Sequence, residues 1–121
     1  MIELMDDFPE NIVGMTGKGE ITAADYENVF MPAIEQRLAR FPKIRLLYFL
    51  GPEFTGYTPK AMWDDTKIGI RHPTAFEKIA VISDAHWVIH LSQVMAMLLP
   101  CPVRTFPVSQ LTEAKAWILA D

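Results

Sequence analysis

The feature that most constrains this chain is the run Ile44-Arg45-Leu46-Leu47-Tyr48-Phe49-Leu50, apolar at every position but Arg45 and closed by Gly51-Pro52. A strand with one wet face alternates apolar and polar residues, because successive side chains point to opposite sides. This run does not alternate, so it reads as a strand buried on both faces, the pattern of a parallel sheet with cover on each side. Lys78 to Ser83, Lys-Ile-Ala-Val-Ile-Ser, repeats the pattern.

The segments around these two runs supply the helices. Asn11 to Gly17 reads as a short strand, and Gly17-Lys18-Gly19 as the turn after it. Thr22 is placed as an N-cap, with Asp25 three residues later to close a capping box and Ile21 and Tyr26 as a hydrophobic staple. Tyr26, Val29, Phe30, Ala33, Arg37 and Leu38 keep helical spacing. Pro32 lies inside that pattern and lacks the N–H that would bond the carbonyl of Asn28, so a kink or a break is expected there. A loop from Gly51 to Tyr57 leads to Thr58-Pro59, a cap and first-turn pair for a second helix over 59–71, ended by His72-Pro73. Ser83 or Asp84 caps a third helix that stops at Pro100. Val103 to Val108 is a last strand, and Ser109 caps a final helix carrying Leu111, Ala114, Trp117 and Ile118. Alternating strands and helices imply parallel strands joined by right-handed crossovers. Ile2 to Met5 is a candidate extra strand, antiparallel to the rest. The expected fold is α/β, a mostly parallel sheet of four to five strands with about four helices, in one domain of 121 residues.

Composition removes several function classes. Half of the residues are apolar and 21% are charged, the reverse of a disordered chain. Lys and Arg total 11 against 15 Asp and Glu, and a net charge of −4 argues against nucleic acid as a partner. Cys101 is alone, so there is no disulfide scaffold, and a reducing, cytoplasmic setting is expected. The acidic start Met1-Ile2-Glu3-Leu4-Met5-Asp6-Asp7 has no signal-peptide pattern. The longest apolar-rich stretch, Trp87 to Leu99, holds 13 residues, whereas a spanning helix needs about 17–25.

Catalytic and metal motifs are weak. Gly14-x-x-Gly17-Lys18-Gly19 has neither the glycine spacing nor the Ser or Thr of a phosphate loop, and its glycines read as turn residues. His86 and His90 share a helix face with Asp84 nearby, but lack a His-Glu-x-x-His pattern, so no metal is expected. Cys101 follows a helix C-terminus, where the dipole disfavours a thiolate. Lys60, Asp64, Lys67 and Arg71 line one face of the second helix, and a solvated face with Asp64 between its lysines is the default reading. The remaining signal is apolar. Phe54 and Tyr57 lie in the second crossover loop and Trp63 in its helix. Trp87, Val94, Met95, Met97, Leu98 and Leu99 make the third helix apolar on nearly every side, so it must be buried, covered by a partner or laid on a membrane.

The run Gly19-Glu20-Ile21-Thr22-Ala23-Ala24-Asp25-Tyr26, the Val29-x-x-Pro32-Ala33 element and the strand Ile44-Arg45-Leu46-Leu47-Tyr48 resemble the SpoIIAA-like family. So do Trp63-Asp64-Asp65-x-Lys67-x-Gly69, the stretch from Phe76 to Asp84, and Ala114-x-Ala116-Trp117-Ile118. That family is related to STAS domains and compared with CRAL-TRIO lipid-binding domains. The resemblance implies a mixed sheet with packed helices, a non-enzymatic role, and ligand or membrane association through the second and third helices. Anti-sigma-factor antagonists carry a phosphorylatable Ser in an Asp-Ser-Ser-Gly-like motif where the second helix begins. Here the sequence is Phe54-Thr55-Gly56-Tyr57-Thr58-Pro59, which leaves Thr55 or Thr58 to take a phosphate.

Two readings follow, with no cofactor in either. The first is a binding domain for an apolar or lipid-like ligand, with peripheral membrane contact, through Phe54, Tyr57, Trp63, Trp87, Met95 and Leu98. The second is a protein-interaction module of the anti-sigma-factor-antagonist type, switched at Thr55 or Thr58. A homodimer covering the third helix fits both. An enzyme built on His86 and His90 finds no nucleophile, base and orienter that spacing places together.

Overall fold

The computed structural model describes residues 1–71 and 74–121, so the expected helix stop at His72-Pro73 lies outside the described residues. Strands β1 (Ile2–Met5), β2 (Ile12–Gly17), β4 (Ile44–Leu50), β6 (Phe76–Ser83) and β7 (Val103–Phe106) form a five-stranded sheet in the order β1-β2-β4-β6-β7. Strand β1 pairs antiparallel with β2, and the other pairs are parallel. Strands β3 (Gly19–Ile21) and β5 (Phe54–Tyr57) pair in a separate two-stranded parallel ribbon.

Strand β4 sits at the centre and shows why its run is apolar throughout. Ile44, Leu46, Tyr48 and Leu50 enter one core with Val13, Met15, Tyr26, Phe30 and Ile79. Leu47 enters the other, with Ile12, Ala80, Ile82, Phe106, Ala114 and Ile118, and Phe49 packs against that cluster. Register ties the first face together across the sheet, Val13 beside Leu46, Leu46 beside Ile79 and Ile79 beside Val103.

Topology decides which helix covers which face. From β2 to β4, β6 and β7 the chain always steps in the same direction. Right-handed crossovers that all step one way place their helices on the same face. The first crossover contributes Phe30, Ala33 and Ile34 to the first core, the second Ala61 and the third Val88. The opposite face is left to α5 (Leu111–Leu119), which buries Ala114 and Ile118 there.

Arg45 is the one charge inside the β4 run, and α5 explains it. The side chain is 11% exposed. Its Nη1 donates to the carbonyls of Ile118 (2.8 Å) and Ala120 (2.7 Å), and its Nε to Glu77 (2.6 Å). Lys78 on the next strand donates to the carbonyls of Trp117 (3.1 Å) and Ala120 (2.6 Å). Both cations therefore satisfy C-terminal carbonyls of α5 and sit at the negative end of its dipole.

The first crossover meets Pro32 without breaking. Helix α1 (Ala23–Asp25) runs into a π-helical turn (Tyr26–Phe30) and then α2 (Met31–Leu38). The widened turn bonds the Met31 N–H to the Tyr26 carbonyl and carries the chain past the site where proline has no donor. The capping box is present, Asp25 accepting from the Thr22 N–H (2.8 Å) and Thr22 Oγ1 from the Asp25 N–H (3.3 Å). Partial burial pushes the Asp25 carboxyl up, but the Thr22 backbone and hydroxyl bonds and the amino terminus hold it below its ordinary value.

Several expected boundaries change. Gly51 to Tyr57 is not all loop, since Phe54–Tyr57 is a strand paired to Gly19–Ile21. Neither residue proposed for the cap of α4 (His86–Leu98) takes that role. Ala85 is the N-cap without a side-chain bond, Ser83 Oγ accepts from the Ala85 N–H, and Asp84 reaches across to the Val108 N–H. Ser109 does not cap α5, because Val108–Gln110 forms a 3-10 turn before it. Gly14 is a strand residue rather than a turn residue. A Cβ there would stand 2.6 Å from the Phe8 ring, so close packing requires the glycine.

Replacing Arg45 by Met keeps the stem and removes the charge. Two charged hydrogen bonds to α5 are lost, each worth about 1.5–3 kcal/mol. Unfolding in urea is expected to show a loss of about 2–4 kcal/mol, with protease cleavage appearing first in α5.

Candidate functional site

Three crossovers on one face leave space between α4 and the sheet. The cavity there has a volume of about 60 Å³, where one water needs roughly 10–15 Å³. Its floor is Leu46, Tyr48 and Leu50 of β4 with Ile79 and Val81 of β6, and its roof is Val88, Leu91, Ser92, Met95 and Leu99. Phe30, Phe76, Tyr57 and Trp87 complete the wall. Among the described residues no charged side chain lines it.

Helix α4 forms the roof because of its spacing. Val88, Ser92, Met95 and Leu99 recur at helical intervals on the inner stripe, and Val88 and Ser92 are buried. Val94, Met97 and Leu98 lie on the outer side, and Met97 is 85% exposed. The helix Pro59–Arg71 (α3) starts as expected, with Thr58 Oγ1 accepting from the Ala61 N–H at 3.2 Å.

An aromatic cluster frames the opening. Phe54 and Tyr57 are 5.4 Å apart, and each lies against Trp87, at 5.9 and 5.6 Å. A regular strand would point residues three apart to opposite faces. Here Gly19 pairs with Phe54 but Glu20 with Gly56, so Thr55 is an extra residue bulged out of β5. The bulge reverses the phase and brings Phe54 and Tyr57 to the same side. Gly56 makes this possible with a φ of +151°, which side-chain-bearing residues rarely adopt. Tyr57 continues inward to Tyr26, the hydroxyls 3.4 Å apart, and from there Phe30 leads to Tyr48 on the floor.

Tyr57, Trp87 and Met95 line this cavity, and Phe54 packs beside it against Tyr57 and Trp87. Trp63 and Leu98 lie elsewhere. Trp63 is 58% exposed on α3 with Lys67 Nζ 5.9 Å from its ring, and Leu98 is 77% exposed on the outer side of α4. Thr55 is exposed in the bulge, and Thr58 is engaged in its cap. Asp64 does not lie on a solvated face. It is 3% exposed, one turn beyond the buried Ala61, with Lys67 at 3.7 Å, while Lys60 pairs with Glu27 instead. The floor residues and Ser92 escaped the sequence reading. Ser92 was legible in principle, being the polar member of the inner stripe.

Other candidate chemistry stays dispersed. Among the described residues no three His, Cys, Asp or Glu side chains come together as a metal site. Burial pushes the Cys101 thiol up, Lys43 opposing it, which makes a poor nucleophile. Among the described residues no helix is long and apolar enough to cross a membrane.

A mostly parallel sheet with one antiparallel edge strand and three crossovers on one face defines a mixed-sheet α/β fold. The SpoIIAA-like family model matches residues 12–119, and the chain belongs to that family. The chain is also similar to an uncharacterized DUF3478-family protein with a SpoIIAA-like fold from Shewanella loihica PV-4. The two are 25% identical with a TM-score of 0.78, over 97% of this chain and 93% of that one. No curated protein matches the chain by sequence.

Gly56→Ala forces the bulge into a strained backbone costing about 1–3 kcal/mol. The expected result is a matching loss in urea unfolding, with a changed Trp87 indole environment in NMR and an unchanged Trp117, which lies on the opposite sheet face.

Proposed function

We propose that this protein is a binding domain that takes a small apolar or amphipathic molecule into the cavity beneath α4. The observation that carries this reading is the apolar cavity, with no charged side chain among its described lining residues and with Tyr57 and the partly exposed Trp87 in its wall. Ligand sites are characteristically concave, mainly apolar and supplied with few polar groups. Each methylene moved from water to such a wall gains about 0.8 kcal/mol, enough for a short chain to bind at millimolar concentration or below.

Titration with 1-octanol tests this. The indole N–H resonance of Trp87 is expected to shift saturably while that of Trp117 stays fixed. Val81→Phe, which fills the cavity from the floor, is expected to weaken binding at least tenfold in a protein that still unfolds cooperatively. Equal shifts at both indoles, or full binding by Val81→Phe, would place the alcohol elsewhere and end the reading.

A second reading, a protein-interaction module, draws on the outer side of α4. The helix carries no Asp, Glu, Lys or Arg along its whole length, yet exposes Trp87, Val94, Met97 and Leu98. A second copy is the occupant that suits this face. In a two-fold contact the same patch faces itself, and a helix without Asp, Glu, Lys or Arg places none of those side chains against its copy. Sedimentation at rising concentration is expected to show a monomer–dimer equilibrium that Met97→Glu with Leu98→Glu abolishes. A strictly monomeric protein that floats with zwitterionic vesicles would assign the face to a membrane surface instead.

A further inference from the structure

The cavity wall says which end of an amphipathic ligand goes in first. Among its described lining residues the polar side-chain groups are the hydroxyls of Ser92, Tyr48 and Tyr57 and the indole N–H of Trp87, and none carries a formal charge. Tyr57 stands at the opening against Trp87, and its hydroxyl faces that of Tyr26. Ser92 is different. It is 5% exposed on the inner stripe of α4, and lies five residues beyond Trp87, or about 7–8 Å along a helix. A helical serine commonly donates its hydroxyl hydrogen to a carbonyl in the preceding turn, which leaves the oxygen able to accept a further bond.

Resting on the cavity reading above, we propose that the site selects an uncharged oxygen-bearing ligand, an alcohol, ester or ketone, whose polar group enters first and bonds to Ser92 Oγ. An alcohol donates its hydroxyl hydrogen to Ser92 Oγ. An ester or ketone oxygen accepts from the Ser92 hydroxyl. A carboxylate or an ammonium entering the same way meets no countercharge among the described lining residues, and an ion without a partner is strongly disfavoured in an apolar wall. The site therefore discriminates by charge rather than by chain.

Four ligands sharing an eight-carbon chain test the proposal at pH 7.5: 1-octanol, methyl octanoate, octanoate and octylammonium. The Trp87 indole shift reports occupancy. The two neutral ligands are expected to bind at least tenfold more tightly than either ion. Ser92→Ala is expected to weaken 1-octanol at least threefold and to leave toluene, which has no polar atom, unchanged. Octanoate or octylammonium binding within threefold of the alcohol would mean that the chain enters first and the head stays in water, which overturns the proposal while the cavity reading survives. An unchanged 1-octanol affinity in Ser92→Ala overturns the role given to Ser92. Absence of any Trp87 shift with all four ligands removes the cavity reading and this inference with it.

Discussion

The two-sided burial of β4 is the constraint from which the rest of the structure follows. A central strand with apolar residues at both parities demands cover on each face, and among the described helices α5 covers the second. Arg45 makes that dependence specific. Its guanidinium is buried by the same strand and finds its acceptors at the end of α5, with Lys78 beside it. A buried charge without partners is costly, so the position of α5 is fixed by hydrogen bonding as well as by Ala114 and Ile118.

The two faces do different work. The second is a small, filled core beneath one helix, with Phe106 and Trp117 in contact at 6.0 Å. The first carries three crossovers, and its elements do not close completely over β4 and β6. The cavity is the remainder, and the bulged ribbon of β3 and β5 sets its opening. A short feature with no role in the main sheet thus places the aromatic residues that define access.

Much of this was legible in the sequence. Ile44–Leu50 and Lys78–Ser83 announce themselves because a strand packed on both sides cannot alternate, and Thr22, Asp25, Thr58 and Pro59 are local capping signals that need no tertiary context. The family resemblance read from ordered motifs agrees with the family match over residues 12–119. Strand β5 was not legible. It is four residues long, contains a glycine at positive φ, and pairs with residues more than thirty positions earlier, so nothing local marks it. Pro32 announced an interruption but not its form, because a π turn and a break begin from the same missing donor. The cavity escaped for another reason. Phe54, Tyr57, Trp87 and Met95 stand out by chemistry, whereas its floor is built from residues indistinguishable in sequence from ordinary core.

The bond between Arg45 and the Ile118 carbonyl joins positions 73 residues apart, a contact of the long-range kind that slows folding. The strand that carries the charge is synthesised long before the helix that satisfies it. Until α5 arrives, one whole side of a hydrophobic sheet lies open and its central cation is still hydrated. Closing so long a loop is slow, since chain entropy is lost before the contact is gained. A chain without the bonds of Arg45 and Lys78 to α5 would leave that apolar face uncovered, and an uncovered apolar face invites self-association.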